Sequence, residues 1–256
     1  MTARTDTLVA LSDIPAAIGL LTRLPVPVDG EAAQARSHRA PWAYPLAGLA
    51  VALVAGLIGQ IALWVGLPPV LVAGLALTSS VIVTGALHED GLADAADGLW
   101  GGWTRDRRLE IMKDSRIGAY GVLALILSLG LRWSALMLLI EAGALWPALI
   151  AAGMGGRAMM VPLMARLPHA RSDGLSHSVG QPTLTTSRVA EVLGLCGVGL
   201  CWGVSGAIVF AIMLAVATGC AMIARAKIGG QTGDILGATG QMVEIAILIT
   251  LAALVT

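Results

Sequence analysis

Seven stretches of this chain, at about 43–65, 69–87, 118–140, 145–164, 189–203, 205–224 and 235–255, are built mainly of Leu, Ala, Val, Ile and Gly, and none holds more than one charged residue. A hydrocarbon core about 30 Å thick is crossed by roughly 20 helical residues rising about 1.5 Å each. Only 12% of the 256 residues are charged, where a soluble domain keeps about a quarter. The runs lack the short polar alternation of a membrane barrel, so helices are expected. The predicted fold is all-α, a polytopic transmembrane bundle of about seven spans that forms one integral-membrane catalytic domain over 1–256. The 189–203 window is the weakest, because it is short and includes Glu191.

The N-terminal stretch "TLVALSDIPAAIGLLTRLPVP" is broken by Asp13 and Pro15 and is followed by no small-residue cleavage site. It reads as an interfacial or re-entrant segment, not a secretory signal. Cys196, Cys201 and Cys220 lie in apolar runs without metal-ligand spacing and read as packing residues. Formal net charge is zero, so nothing points to nucleic acid. The bases are sharply sorted: Arg4, Arg23, Arg36 and Arg39 precede the first span, and eleven others fall in or beside alternate loops, which leaves Arg132 alone towards the opposite side. By the positive-inside rule the N-terminus and the three long loops are cytoplasmic and the C-terminus is outside. The expected location is the bacterial cytoplasmic (inner) membrane, with the lipid bilayer as a partner and homo-oligomerisation left open.

Against that background "LHEDGLADAADGLWGG" at 87–102 stands out, with Glu89, Asp90, Asp94 and Asp97 directly after an apolar run. Asp90, Asp94 and Asp97 stand at i, i+4 and i+7, on one helical face, where bare like charges destabilise a helix. A bound divalent cation reverses the sign, and hard oxygen ligands suit Mg²⁺ shared with substrate phosphates. Gly91 suggests a helix break, with Asp90 as N-cap of a new helix through Trp100. The bland alternative is a solvated loop helix.

Two further stretches join it. In "RDRRLEIMKDSRIGAYG", 105–121, Lys113, Asp114 and Arg116 lie just before a span and suit diphosphate oxygens, whereas Arg105, Arg107 and Arg108 read as topology-setting charge. In "KIGGQTGDILGATGQMVE", 227–244, Gly230, Gln231, Thr232 and Gly233 form a polar elbow that allows close ligand approach, and Asp234 opens the last span where it can complete a metal site. Glu244 lies deeper, as a functional carboxyl or as a partner of Arg132. Arg157 either reaches the pocket or snorkels. The 166–188 loop, rich in Ser, Thr, Gly and Pro, suits a lid.

"TRLPVP" at 22–27, "YPLAG" at 44–48, "HEDGLADAADG" at 88–98, "RLEIMKDSRIGAYG" at 108–121 and "GGQTGDILGA" at 229–238 together resemble the cobalamin synthase (adenosylcobinamide-GDP ribazoletransferase) family over essentially the whole chain. The resemblance implies the last assembly step of cobalamin synthesis: α-ribazole or its 5′-phosphate attacks GDP-activated adenosylcobinamide and GMP is released. It also implies Mg²⁺ as cofactor. The family pattern falls on His88, Asp90, Gly91, Leu92, Ala93, Asp94, Asp97 and Gly98, with Glu89 at a wildcard position. On this reading Asp90, Asp94, Asp97 and Asp234 hold metal. Lys113, Arg116 and Arg157 neutralise phosphate charge, Asp114 and the 230–233 elbow contact substrate, and His88 acts as base or supports the metal from behind. The 166–188 loop matches no family pattern. Two other classes stay in view: a CDP-alcohol phosphotransferase or prenyltransferase, and an ion-coupled transporter with mid-membrane charges on several spans.

Overall fold

The computed structural model describes residues 7–255, and the elements among them are helical; Arg4 lies outside the described residues. A 3₁₀ turn at Ala40–Ala43 runs into α3 (Tyr44–Trp64), preceded by the short helices α1 (Asp13–Leu21) and α2 (Gly30–Ala35). Then follow α4 (Pro69–Thr84), α5 (Leu87–Gly101), α6 (Arg105–Ile111), α7 (Ala119–Glu141), α8 (Leu145–Arg166), α9 (Leu175–Val179), α10 (Leu184–Trp202), α11 (Ser205–Ile228) and α12 (Gly233–Val255). Among the described residues, six helices, α3, α7, α8, α10, α11 and α12, are long and apolar enough to cross a bilayer, and the broken pair α4–α5 makes up to seven. The predicted polytopic helical bundle is the fold observed. Its centre is α8, the most buried of the six, which packs on α3, α10 and α12.

The second span departs from its predicted bounds of 69–87. Helix α4 stops at Thr84, and α5 leaves it at 86°. The turn is made by Gly85 (φ +62°) and Ala86 (φ +57°), both left-handed. A Cβ at Gly85 would stand 2.5 Å from Arg23 Nε, so the Arg23 side chain lies directly over the turn. Arg23 N–H in turn donates to Val83 O at 2.7 Å, tying the N-terminal strand of chain to the break. The break therefore precedes the acidic motif, and Asp90 is not an N-cap: α5 already runs through it from Leu87.

The predicted fifth span was too short at its start. Helix α10 begins at Leu184 because the Thr183 side chain accepts the Thr186 N–H at 3.1 Å, and Glu191 is met by Ser187 Oγ at 2.6 Å. Polar residues at 185–188 thus belong to the helix although a hydropathy window discards them. The N-terminal segment forms a helix of nine residues, too short to cross. It is docked by Asp13, which is buried and accepts hydrogen bonds from Arg36 (2.7 and 2.8 Å) and from Trp42 Nε1 (2.7 Å).

The long connections converge at one end of the bundle. Arg105 donates to Ile228 O at 3.0 Å and to Ala170 O at 2.5 Å, and Arg108 to Lys227 O at 2.9 Å. Helix α6 is thereby fastened to the loop before α9 and to the last turn of α11. That end carries the site.

Candidate active site at the loop end of the bundle

Gly91 decides where the acidic motif sits. A Cβ at this position would stand 3.1 Å from the Asp234 Cα and carbonyl oxygen, so any side chain here would press α5 off the first turn of α12 by a few tenths of an ångström. His88 meets Gly237 and Gly240 further along α12. Helix α5 therefore runs antiparallel to α12, from inside the bundle outwards, and Asp94 stands beyond the point where the spanning helix begins. Asp90 and Asp234 are brought together and line one cleft. Asp94 lies in the electrostatic field of Asp90, Asp234 and Asp97, with Arg171 opposing them. Three carboxylates with too little positive charge among them match the hard-oxygen donor chemistry of a Mg²⁺ site.

Asp97 is turned away from that group. Its carboxylate accepts the N–H of Gly118 at 2.7 Å and of Gly121 at 2.9 Å, capping the start of α7. Among the described residues, no three His, Cys, Asp or Glu side chains converge into a ready-made metal cage. The i, i+4, i+7 spacing sets the trio on one side of α5, but that side faces two different helices.

The elbow before α12 serves two directions. The Thr232 hydroxyl donates to Asp234 Oδ2 at 3.1 Å and caps Ile235 N–H at 3.3 Å, and Gly233 lines the cleft. Gln231 and Gly230 face the loop above instead. Gln231 N–H donates to Pro168 O, its carbonyl accepts from Ala170 N, both at 2.9 Å, and its side chain meets Ser176 Oγ and His169 Nδ1. Gly230 is pressed against Pro168 O. The 166–188 loop is thus fastened over the cleft, and Leu175, Ser176 and Val179 form part of the wall. Leu20, Leu21, Tyr44, Met160 and Met164 supply its apolar part.

The basic candidates are split. Lys113 Nζ lies 2.5 Å from Asp173 Oδ2, in an outer groove with Arg105 and Arg171. Arg116 binds Asp114 through two nitrogens, at 2.7 and 3.0 Å; Arg116 is exposed and Asp114 half-buried, and the guanidinium holds the Asp114 carboxyl down at about 2. Arg157 is buried and bound to Glu244 within the bundle. Glu244 also lies 3.3 Å from Arg132, whose other arm reaches Glu89 at 2.9 Å, and Gln241 donates to the same Glu89 oxygen at 3.0 Å. Two acids and two arginines therefore balance inside the bundle, and Arg157 belongs to that set rather than to the cleft wall. His88 is 1% exposed and lines the cleft, and among the described residues neither of its ring nitrogens has a hydrogen-bond partner.

Sequence reasoning did not single out Arg171, which lies 3.2 Å from Asp234 and lines the same cleft. Its only signal was a base in a polar loop. Glu89 was set aside at a wildcard position, yet its pairing with Arg132 seats the first turn of α5.

A multi-pass helical bundle with a carboxylate-rich, arginine-bearing cleft at one mouth defines a membrane-embedded enzyme. Residues 13–252 match the family described as cobalamin-5-phosphate synthase, and the chain belongs to that family. It is similar to proteins named adenosylcobinamide-GDP ribazoletransferase from Bradyrhizobium diazoefficiens (48% identical, covering 95% of this chain and 94% of the relative) and Mesorhizobium japonicum (43%, covering 93% and 92%). A third relative of that name, from a Sinorhizobium species, is 43% identical, over 94% of this chain and 95% of its own. No solved structure matches the chain.

Proposed function

We propose that this enzyme joins adenosylcobinamide-GDP to α-ribazole or its 5′-phosphate, with Mg²⁺, and releases GMP. The observation that carries the metal–diphosphate part is that Asp90 of α5 and Asp234 of α12 line one cleft with Arg171 as its counter-charge, while Asp94, one turn further along α5, lies close enough to feel both carboxylates. The names of the relatives support the choice of substrates.

Asp90, Asp94 and Asp234 would hold the cation, with Asp97 bracing α5 from behind. When bound, Mg²⁺ supplies positive charge against the diphosphate oxygens and lowers the cost of charge build-up on the departing GMP. Phosphoryl transfer asks the protein chiefly for positioning and electrostatics. The ribazole 3′ oxygen forms a bond to the phosphorus on the corrinoid arm, and the bond from that phosphorus to the bridging oxygen of GMP breaks. His88, buried at the cleft with free nitrogens, takes the hydroxyl proton. Lys113 meets the nucleotide from the outer groove, and Arg116 with Asp114 shapes the approach to α7. The apolar wall of Leu20, Tyr44 and Met164 suits an aromatic base. The cleft end faces the cytoplasm of the bacterial inner membrane, because that end carries the basic loops.

The test is GMP release by protein purified in detergent, with each acceptor, with and without Mg²⁺. Release from adenosylcobinamide-GDP that stops on chelation is expected. Transfer from a CDP-alcohol instead, or ion flux in proteoliposomes without any phosphoryl transfer, would overturn the reading.

A further inference from the structure

Arg171 stands one residue past a pinned strap of backbone. Pro168 and Ala170 are both bonded to Gln231, and the Ala170 carbonyl also accepts from Arg105. The side chain beyond that strap is held by ion pairs. Arg171 Nη1 lies 3.2 Å from Asp234 Oδ2 and Nε 3.5 Å from Asp173 Oδ1, so it is shared between two carboxylates. Gly174 leaves it room: with φ +87°, it has no Cβ, which would stand 3.0 Å from Nη2. Arg171 lines both the main cleft and the outer groove that contains Lys113 and Arg105, so its guanidinium lies where the two meet.

We infer that Arg171 is a diphosphate-binding residue which Asp234 holds in reserve. In the substrate-free chain it supplies the positive charge that Asp90, Asp94 and Asp234 lack. With those carboxylates occupied by a divalent cation, the guanidinium is released and turns, by side-chain rotation on a fixed backbone, to the diphosphate oxygens. Its planar fork matches two such oxygens, a geometry the point charge of lysine does not reproduce. Arg171 and the cation therefore compete for the acids when the cleft is empty and cooperate when it is filled. This assignment rests on the reading of the cleft as a metal–diphosphate site.

Competition gives a signature that a merely structural ion pair lacks. Mg²⁺ binding to the substrate-free protein is measured by calorimetry for wild type, Arg171→Ala and Arg171→Lys, alongside KM for adenosylcobinamide-GDP and binding of inorganic pyrophosphate in Mg²⁺. Arg171→Ala should bind Mg²⁺ several-fold more tightly while its KM rises about tenfold or more, the size of one lost charge-assisted contact. Arg171→Lys should fall between. Unchanged or weaker Mg²⁺ binding in Arg171→Ala, or a KM within about twofold of wild type, would overturn the role. If wild type does not turn over the corrinoid substrate, the proposed reaction fails, and the Mg²⁺ and pyrophosphate measurements still decide Arg171.

Discussion

The Asp97 carboxylate accepts the Gly118 N–H at 2.7 Å, so an acid of the α5 motif caps the first turn of α7. With Gly121 on its other oxygen, it satisfies two donors that a helix start leaves without partners. Asp97→Ala removes both acceptors and should lower stability by about 1–2 kcal/mol, the usual cost of a lost cap. Thermal unfolding in detergent measures this. Mg²⁺ binding by the variant should stay close to that of wild type, and loss of metal binding without loss of stability would show that Asp97 is a ligand after all.

The balanced set of Glu89, Arg132, Arg157 and Glu244 predicts a compensating pair of changes. Arg132→Met leaves two buried acids facing Arg157 alone, and breaking a buried pair from one side costs about 3–5 kcal/mol. Glu89→Gln combined with Arg132→Met restores equal charge and should recover more than half of the lost stability. A double variant no more stable than Arg132→Met would show that the four residues do not act as one network.

Asp13 makes the seat of α1 sensitive to acid. Burial opposes ionisation, but hydrogen bonds from Arg36, Trp42 and Ala10 outweigh it and hold the carboxyl below its ordinary 3.8. A depressed carboxylate stabilises the folded state above the unfolded pKa and loses that contribution as pH falls through the folded one. Docking of α1 should therefore be complete from about pH 5 upwards and weaken below about pH 4. Hydrogen exchange of residues 13–21 at acidic and neutral pH measures it, with Asp13→Asn expected to show the acid behaviour at pH 7. Equal protection at both pH values would contradict this.

The spans were legible because hydropathy over about 20 residues is a one-dimensional property. So was the coming together of the 88–98 and 229–238 stretches, since each places acids at a helix end. Which way each acid points was not. Asp97 shares a helix face with Asp90 and Asp94, yet the neighbouring helix on its side is α7, and no spacing within α5 reveals a partner 21 residues on. The break at Gly85 and Ala86 was hidden because an alanine occupies one of its left-handed positions. Arg157 lies in an apolar run, and its pairing with Glu244 depends on how α8 and α12 pack.

The grip of the acid cluster on a divalent cation is tested most directly by GMP release against Mg²⁺ concentration for wild type, Asp94→Asn and Arg107→Ala. Arg107 pairs with Glu110 on the exposed face of α6, so its loss should be mild. Asp94→Asn should lose activity about a hundredfold or more at every Mg²⁺ concentration while its membrane fold stays intact. Activity within a few-fold of wild type at limiting Mg²⁺ would contradict the account.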